Sequence, residues 1–398
     1  MTSDIPFSEL TTLKVGGPAG ELVTATTQRD LVDLAVEVWT NGDPWLALGG
    51  GSNLLVGDEG FDGTVIRVAT KGIEILPVEP PHPAHRVRLR VQAGETWDDL
   101  VAWAVERGYS GFEALSGIPG SVGAAPVQNI GAYGQELEAT LIAIEFLDEG
   151  ADAPRRMTAD ELGLGYRTSV LKRGLRGIVV SVEFDLYDTD LERAVLGEAL
   201  GLPIAYAQLA DALHVNLGDR VSISLVRESV LGLRASKGMV LDAADPDSVS
   251  AGSFFTNPIV SERVARTLPG DAPRWYLGEE TADEVTLLAG GVDDSPLDQF
   301  LAHQASIAAV DTSTDAPPAS PLVKLSAAWL IERAGIRRGF ALPGSRAAVS
   351  SKHTLALTNR GGASAEEIAQ LARFVQSRVQ AEFGIVLHPE PVLVGIEL

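Results

Sequence analysis

Two glycine-rich stretches are the first places where residue type and spacing could do chemistry. LALGGGSNLLVGDEGFDG sets Gly49, Gly50 and Gly51, then Ser52, Asn53 and Leu54, behind a short apolar run. Backbone without a Cβ can approach a ligand closely, and the N–H groups of such a turn form a concavity for phosphate oxygens. The run is not the GxGxxG of a dinucleotide-binding βαβ unit and lacks the lysine of a P-loop, so alone it reads more readily as a strand-turn-strand corner. The second stretch, EALSGIPGSVGAAPVQNIGAYGQEL, places five glycines and two prolines among small residues with scarcely any charge until its end. A solvated loop would be more polar. This one is expected to pack on something flat and partly apolar, with its amides aimed at a pyrophosphate. Its candidate contacts are Gly117, Pro119, Gly120, Ser121, Gly123 and Ala124, followed by Asn129, Gly131 and Ala132. Together the two loops suggest a dinucleotide cofactor.

Such loops need rigid elements around them. TVIRVA (Thr64 to Ala69) and RVRLRVQAGE (around Val87 to Glu95) read as strands between turn residues, as do LIAIEFL and GIVVSVEFDLY in the region Leu141 to Tyr187. DLVDLAVEVWTNG and TWDDLVAWAVERG repeat apolar residues at three and four and close on a basic residue or glycine, which predicts helices. After a composition shift at Asp188, a helix-like stretch from Ser222 to Arg234 leads toward a third region. PLVKLSAAWLIERAGI reads as an amphipathic helix with Leu325, Trp329 and Leu330 inward, and AEEIAQLARFVQSRVQAEFG as another, with Glu366 and Glu367 at its start and Gly384 past its end. Residues 278–320 are acidic and rich in Ala, Asp and Pro; they read as an insertion in which VTLLAGG and LDQFLAHQASIAAV could make local helices. The layout is α+β.

A chain of 398 residues, 45% of them apolar, can bury a large core and at this size is expected to split into two or three domains. Its formal charge of -23 repels nucleic acid and anionic membrane. The first residues lack the pattern of a secretory signal, and no run reaches the ~18 apolar residues of a membrane span, so cytoplasmic residence is expected. With no cysteine there is no disulfide, thiolate metal site or redox dithiol. Electrons, if handled, must travel on a bound cofactor, and no metal is expected.

LGGGSNLLV, SGIPGSVGAAPVQNIGAYG, YRTSVLK, AGSFFTNPIV and HPEPVLVG, in that order, resemble the signature segments of the UDP-N-acetylenolpyruvoylglucosamine reductase family, also called UDP-N-acetylmuramate dehydrogenases. The resemblance implies a two-subdomain FAD-binding fold of the vanillyl-alcohol-oxidase type plus a C-terminal α+β substrate-binding domain. It places the subdomains at 1–70 (completed by 386–398) and 71–220, and the substrate domain at 221–385. It also implies non-covalent FAD, NADPH as co-substrate, a UDP-sugar substrate, a monomer, and a role in peptidoglycan precursor synthesis.

The family's reaction passes a hydride from NADPH to FAD and then to the terminal vinyl carbon of an enolpyruvyl ether, so charge builds up on the carbon beside the carboxylate. That calls for a cation, a second stabilising acid and a proton donor. The resemblance assigns Arg167 as the cation, whose guanidinium can grip a carboxylate with two hydrogen bonds, Glu390 as the acid and Ser253 as the donor. A carboxyl at Glu390, before an apolar strand, is expected to be partly desolvated and raised in pKa. Substrate contacts are expected from Lys237, Tyr206, Tyr276 and Asn257, with Tyr206 resembling a lid tyrosine. Tyr166 fits packing as well as substrate contact, and His353 fits a core histidine as well as a ligand contact. Two competing readings share the fold: another FAD oxidase or dehydrogenase, which has no reason to contain GSFFTNP or the terminal PEP, and a non-catalytic UDP-sugar-binding homologue.

Overall fold

The computed structural model describes residues 2, 3, 5–77, 85–277 and 321–398; the expected insertion at 278–320, with its two candidate helices, lies outside the described residues. The chain divides into two compact units, residues 1–256 with 330–398, and residues 257–329.

In the first unit the β-branched run Thr64–Val68 becomes the inner strand of a small sheet, parallel to Glu21–Ala25 on one side and Trp45–Leu48 on the other. The Leu54–Val56 strand, which leaves the first glycine run, pairs in parallel with Val392–Val394, so the chain's last strand lies beside the first loop. The Gln28–Asn41 helix starts at Thr27, whose hydroxyl accepts the Asp30 N–H, and stops at Gly42 in the left-handed region (φ 77). Its Leu31, Ala35 and Val38 are buried at helical spacing against Ile66 and against Leu147, Ile178 and Val180 of a second sheet.

That larger sheet is antiparallel, in the order Arg155–Thr158, Leu141–Asp148, Gly177–Asp188, Arg86–Gln92, Ile73–Leu76. Along Arg86–Gln92 the alternation is complete: Val87, Leu89 and Val91 are buried, while Arg86, Arg88, Arg90 and Gln92 are half-exposed. Beneath it Trp97, Phe112 and Phe184 meet edge-on, with centroids 5.2 Å (Trp97 to Phe112) and 4.9 Å (Phe112 to Phe184) apart. The Trp97 indole N–H donates to the Leu115 carbonyl at 3.1 Å, so its polar atom is satisfied. Each such buried phenylalanine contributes about 1.5–3 kcal/mol, and Trp97 opens the Trp97–Arg107 helix that abuts the second glycine loop. Helices Ile223–Ser236 and Ala365–Phe383 lie where periodicity predicts them. The latter begins with a reciprocal Ser364–Glu367 capping box and ends at Gly384.

One element differs from expectation. PLVKLSAAWLIERAGI is not helical from its start: Leu322–Leu325 is a strand and the helix runs over Ala327–Arg333. Val323 and Leu325, two apart, are both buried, and the strand forms the middle of the second unit's sheet, between Ile259–Ser261 and Arg274–Leu277. Leu325 therefore points inward from a strand, because pairing on both edges outweighs a helical reading of so short a run.

Candidate active site

The two glycine runs pack on one another. A Cβ on Gly50 would lie 2.7 Å from Gly120 Cα, one on Gly49 2.3 Å from Ser121 Oγ, and one on Gly51 2.0 Å from the Leu10 carbonyl oxygen. The triplet is glycine because chain meets chain here, before any ligand arrives. Ser52 Oγ donates to the Pro119 carbonyl (3.0 Å), and Asn53 Nδ2 donates to Gln128 Oε1 (2.5 Å) and to the Glu390 carbonyl (3.3 Å). Between the runs lies a cavity of about 260 Å³, lined by Gly49–Leu54, Pro119–Ser121 and Ala124, with apolar walls from Trp97, Ile118, Val127 and Val392. A second cavity of about 500 Å³ shares Gly49, Gly50 and Ile118–Ser121 and adds Arg67, Thr96 and Gly117. Among the described residues, the backbone N–H groups of Gly50, Gly51, Ser52, Gly120 and Ser121 donate to no acceptor. Unspent donors beside a flat apolar wall fit a phosphate-bearing aromatic cofactor such as FAD.

Not every candidate contact lines these cavities. Gly123 donates its N–H to the Ala93 carbonyl and packs on Ala93, which fixes the loop to the larger sheet. Asn129 is fully buried at φ 48; its amide donates to the Gly165 carbonyl (3.1 Å) and accepts the Glu138 N–H (3.1 Å). Gly131 and Ala132 form one arm of a tiny hairpin with Gln135–Glu136. Asn129 and Gly131 thereby present the two carbonyls that hold Arg167.

Arg167 itself has φ 53, a left-handed conformation that costs a non-glycine residue about 1–2 kcal/mol. Its Nη2 donates to the Gly131 carbonyl (2.6 Å) and Nη1 to the Asn129 carbonyl (3.3 Å), while Nε lies 3.4 Å from Glu390 Oε1. The Tyr166 ring stands 5.5 Å from the guanidinium carbon. Glu390 donates its N–H to the Phe254 carbonyl (2.9 Å), Phe255 bridges Pro389, and Thr256 donates to the His388 carbonyl (3.1 Å), so residues 254–256 and 388–390 run side by side. Ser253 precedes buried Phe254 and Phe255, and its hydroxyl makes no hydrogen bond among the described residues. Burial pushes the Glu390 carboxyl above the usual carboxylate range against the opposing pull of Arg167 and Lys172. Lys172, which sequence reasoning passed over, donates from Nζ to the Glu390 carbonyl oxygen at 3.0 Å. Its signal was a position in the same YRTSVLK segment as Arg167.

A second group gathers at the hairpin tip. Tyr133, also missed, stands in the left-handed region (φ 49); the Tyr206 ring meets it edge-on at 5.9 Å and Lys237 Nζ lies 5.3 Å over its face. Lys237 Nζ also donates to Gln208 Oε1 (3.0 Å), the second residue of the Ala207–Leu213 helix that begins after exposed Tyr206. Asn257 and Tyr276 belong to the second unit, where Asn257 Oδ1 accepts the Ala327 N–H (2.9 Å) and Tyr276 is exposed on its strand.

His353 is held at about 4, well below the 6.5 of a free imidazole, first by burial and then by the charges of Lys237 and Arg338. It is therefore neutral near pH 7. The folded state refuses a proton that the unfolded chain takes up below about 6.5, so the contribution is whole above that pH and is lost as the pH falls toward 4. His353→Gln should flatten the decline in the urea midpoint between pH 7 and 5. An equally steep decline in the variant would assign the acid sensitivity elsewhere.

Among the described residues no group of three or more His, Asp or Glu could hold a metal ion, and no helix is long and apolar enough to cross a membrane. An α+β scaffold with two interlocked glycine loops around an apolar-walled cavity defines an FAD-binding flavoprotein, and residues 20–152 match the family profile described as FAD binding domain. Residues 245–394 match that of the UDP-N-acetylenolpyruvoylglucosamine reductase C-terminal domain. A UDP-N-acetylenolpyruvoylglucosamine reductase from Leifsonia xyli subsp. xyli is 59% identical over 401 residues, covering 100% of both chains. One from Thermobifida fusca is 43% identical, over 99% of this chain and 98% of the relative. The crystal structure of the Thermus caldophilus enzyme superposes with a TM-score of 0.58 at 26% identity, covering 99% of each chain. The chain belongs to the UDP-N-acetylenolpyruvoylglucosamine reductase family.

Proposed function

We propose that this chain reduces UDP-N-acetylglucosamine enolpyruvate to UDP-N-acetylmuramate with NADPH through non-covalently bound FAD, the reductive step of peptidoglycan precursor synthesis, in the cytoplasm. The observation that carries the reading is the 3.4 Å pairing of Arg167 with a half-buried Glu390 whose own backbone is tied to the loop cavity by Asn53. FAD, when bound, relays the hydride from NADPH to the substrate's double bond. The N–H groups of Gly50–Ser52, Gly120 and Ser121, which have no acceptor among the described residues, would hold its pyrophosphate. Arg167, fixed by two carbonyls, holds the substrate carboxylate and the charge that grows beside it. Glu390, favoured in its neutral form, donates a hydrogen bond to the same charge, and the unpaired Ser253 hydroxyl delivers the proton to carbon. Lys237, Tyr206 and His353 receive the UDP-sugar, joined by Tyr133. In this reading the cofactor subdomains span 1–70 with 386–398 and 71–220, and the substrate domain spans 221–385.

The purified protein should be yellow, NADPH should bleach it anaerobically, and the enolpyruvyl substrate should restore the colour with formation of the saturated lactyl ether. Bleaching without restoration by that substrate would favour a flavin oxidoreductase of other specificity. A colourless protein that binds the UDP-sugar would favour the non-catalytic reading.

A further inference from the structure

Lys172 is a half-buried ammonium that lines the 260 Å³ cavity beside Gly49–Asn53 and Gln128. Its base is rigid: Ser169 Oγ donates to the Val127 carbonyl of the second loop (2.6 Å) and accepts the Lys172 N–H (3.2 Å). Its Nζ makes one hydrogen bond, to the main-chain carbonyl of Glu390, although an ammonium has three donors. No carboxylate among the described residues lies within ion-pair distance, and the nearby Glu390 carboxyl faces Arg167. A half-buried cation thus stands in the wall of a cofactor cavity with no carboxylate within ion-pair distance, and burial pulls its pKa down against the weaker opposing pull of Glu390. Such a cost is offset when an anion arrives.

The loop donors available for pyrophosphate are on Gly50–Ser52, Gly120 and Ser121, whereas Lys172 is tied to the segment that carries Glu390, at the reacting end. Hydride from NADPH brings two electrons and one proton, so the flavin ring gains one negative charge as NADPH becomes NADP⁺. We propose that Lys172 supplies the positive charge that stabilises the reduced flavin ring, and that it thereby sets the cofactor's midpoint potential while its remaining bond positions Glu390. The inference rests on the FAD-dependent reading above and deepens it by naming the residue that tunes the cofactor.

The test measures midpoint potential by anaerobic equilibration with a redox dye, with no enolpyruvyl substrate present, alongside the Kd of oxidised FAD for the apoprotein. Lys172→Met and Lys172→Gln should lower the reduced-to-oxidised ratio at a fixed dye potential at least ~10-fold, about 30 mV for a two-electron couple, while the Kd of oxidised FAD moves less than ~3-fold. Lys172→Arg, which keeps the charge, should recover most of the shift. An unchanged potential in both neutral variants overturns the proposal. So does an equal weakening of both oxidation states, up to loss of FAD, which would assign the ammonium to the pyrophosphate. Absence of flavin or of NADPH bleaching in the unmodified protein would instead overturn the FAD-dependent reading itself.

Discussion

Ser253→Ala should bleach with NADPH at a near-normal rate and then reoxidise with enolpyruvyl substrate ~10² to 10⁴ times more slowly, the usual cost of removing a general acid. The asymmetry follows from where protons are needed. Reduction by NADPH delivers a hydride and asks nothing of a hydroxyl near the substrate carbon, whereas the second half must place a proton on the carbon beside the carboxylate. Ser253 is poised for that and little else: it sits between Gly252 (φ 74) and two buried phenylalanines, its hydroxyl unspent, on the strip that pairs with Pro389 and Glu390. Glu390→Gln should slow the same half, because the carboxyl acts on the same charge. Rapid-mixing absorbance resolves the halves. If Ser253→Ala slowed the NADPH half and spared reoxidation, the serine would belong to nicotinamide positioning.

Gly50→Val should yield a folded, colourless protein. The new Cβ would stand 2.7 Å from Gly120 Cα, closer than non-bonded carbons tolerate, and the atom in its way is backbone, which cannot swing aside. The two loops must separate, and the donors of Gly50–Ser52 and of Gly120–Ser121 then no longer converge on one pyrophosphate. FAD affinity should fall at least ~10-fold, about 1.4 kcal/mol. Gly232→Ala is the matched control, since its added methyl meets nothing within 4 Å on an exposed helical face; it should stay yellow and gain up to about 1 kcal/mol of stability. Circular dichroism separates loss of flavin from loss of fold. Full flavin occupancy in folded Gly50→Val would detach the first loop from the cofactor.

The sequence by itself determined the elements whose signals are local. Alternation marked Arg86–Gln92, three-four spacing marked Gln28–Asn41 and Trp97–Arg107, and Gly42, Gly108 and Gly384 marked where helices stop, because these depend on neighbours within a turn or two. The nominations of Arg167, Ser253 and Glu390 came from a resemblance of motifs rather than from any pattern a single residue shows. Only the tertiary structure decided that Gly50 abuts Gly120, that Arg167 is strained and pinned by the carbonyls of Asn129 and Gly131, and that Lys172 and Asn53 share the Glu390 carbonyl. It also decided that Leu322–Leu325 is a strand, a choice made by two partner strands and not by the run itself. The reason is common to all of these: the groups concerned are distant in the chain, and what brings them together is sheet pairing and loop packing between segments, to which no local spacing is sensitive.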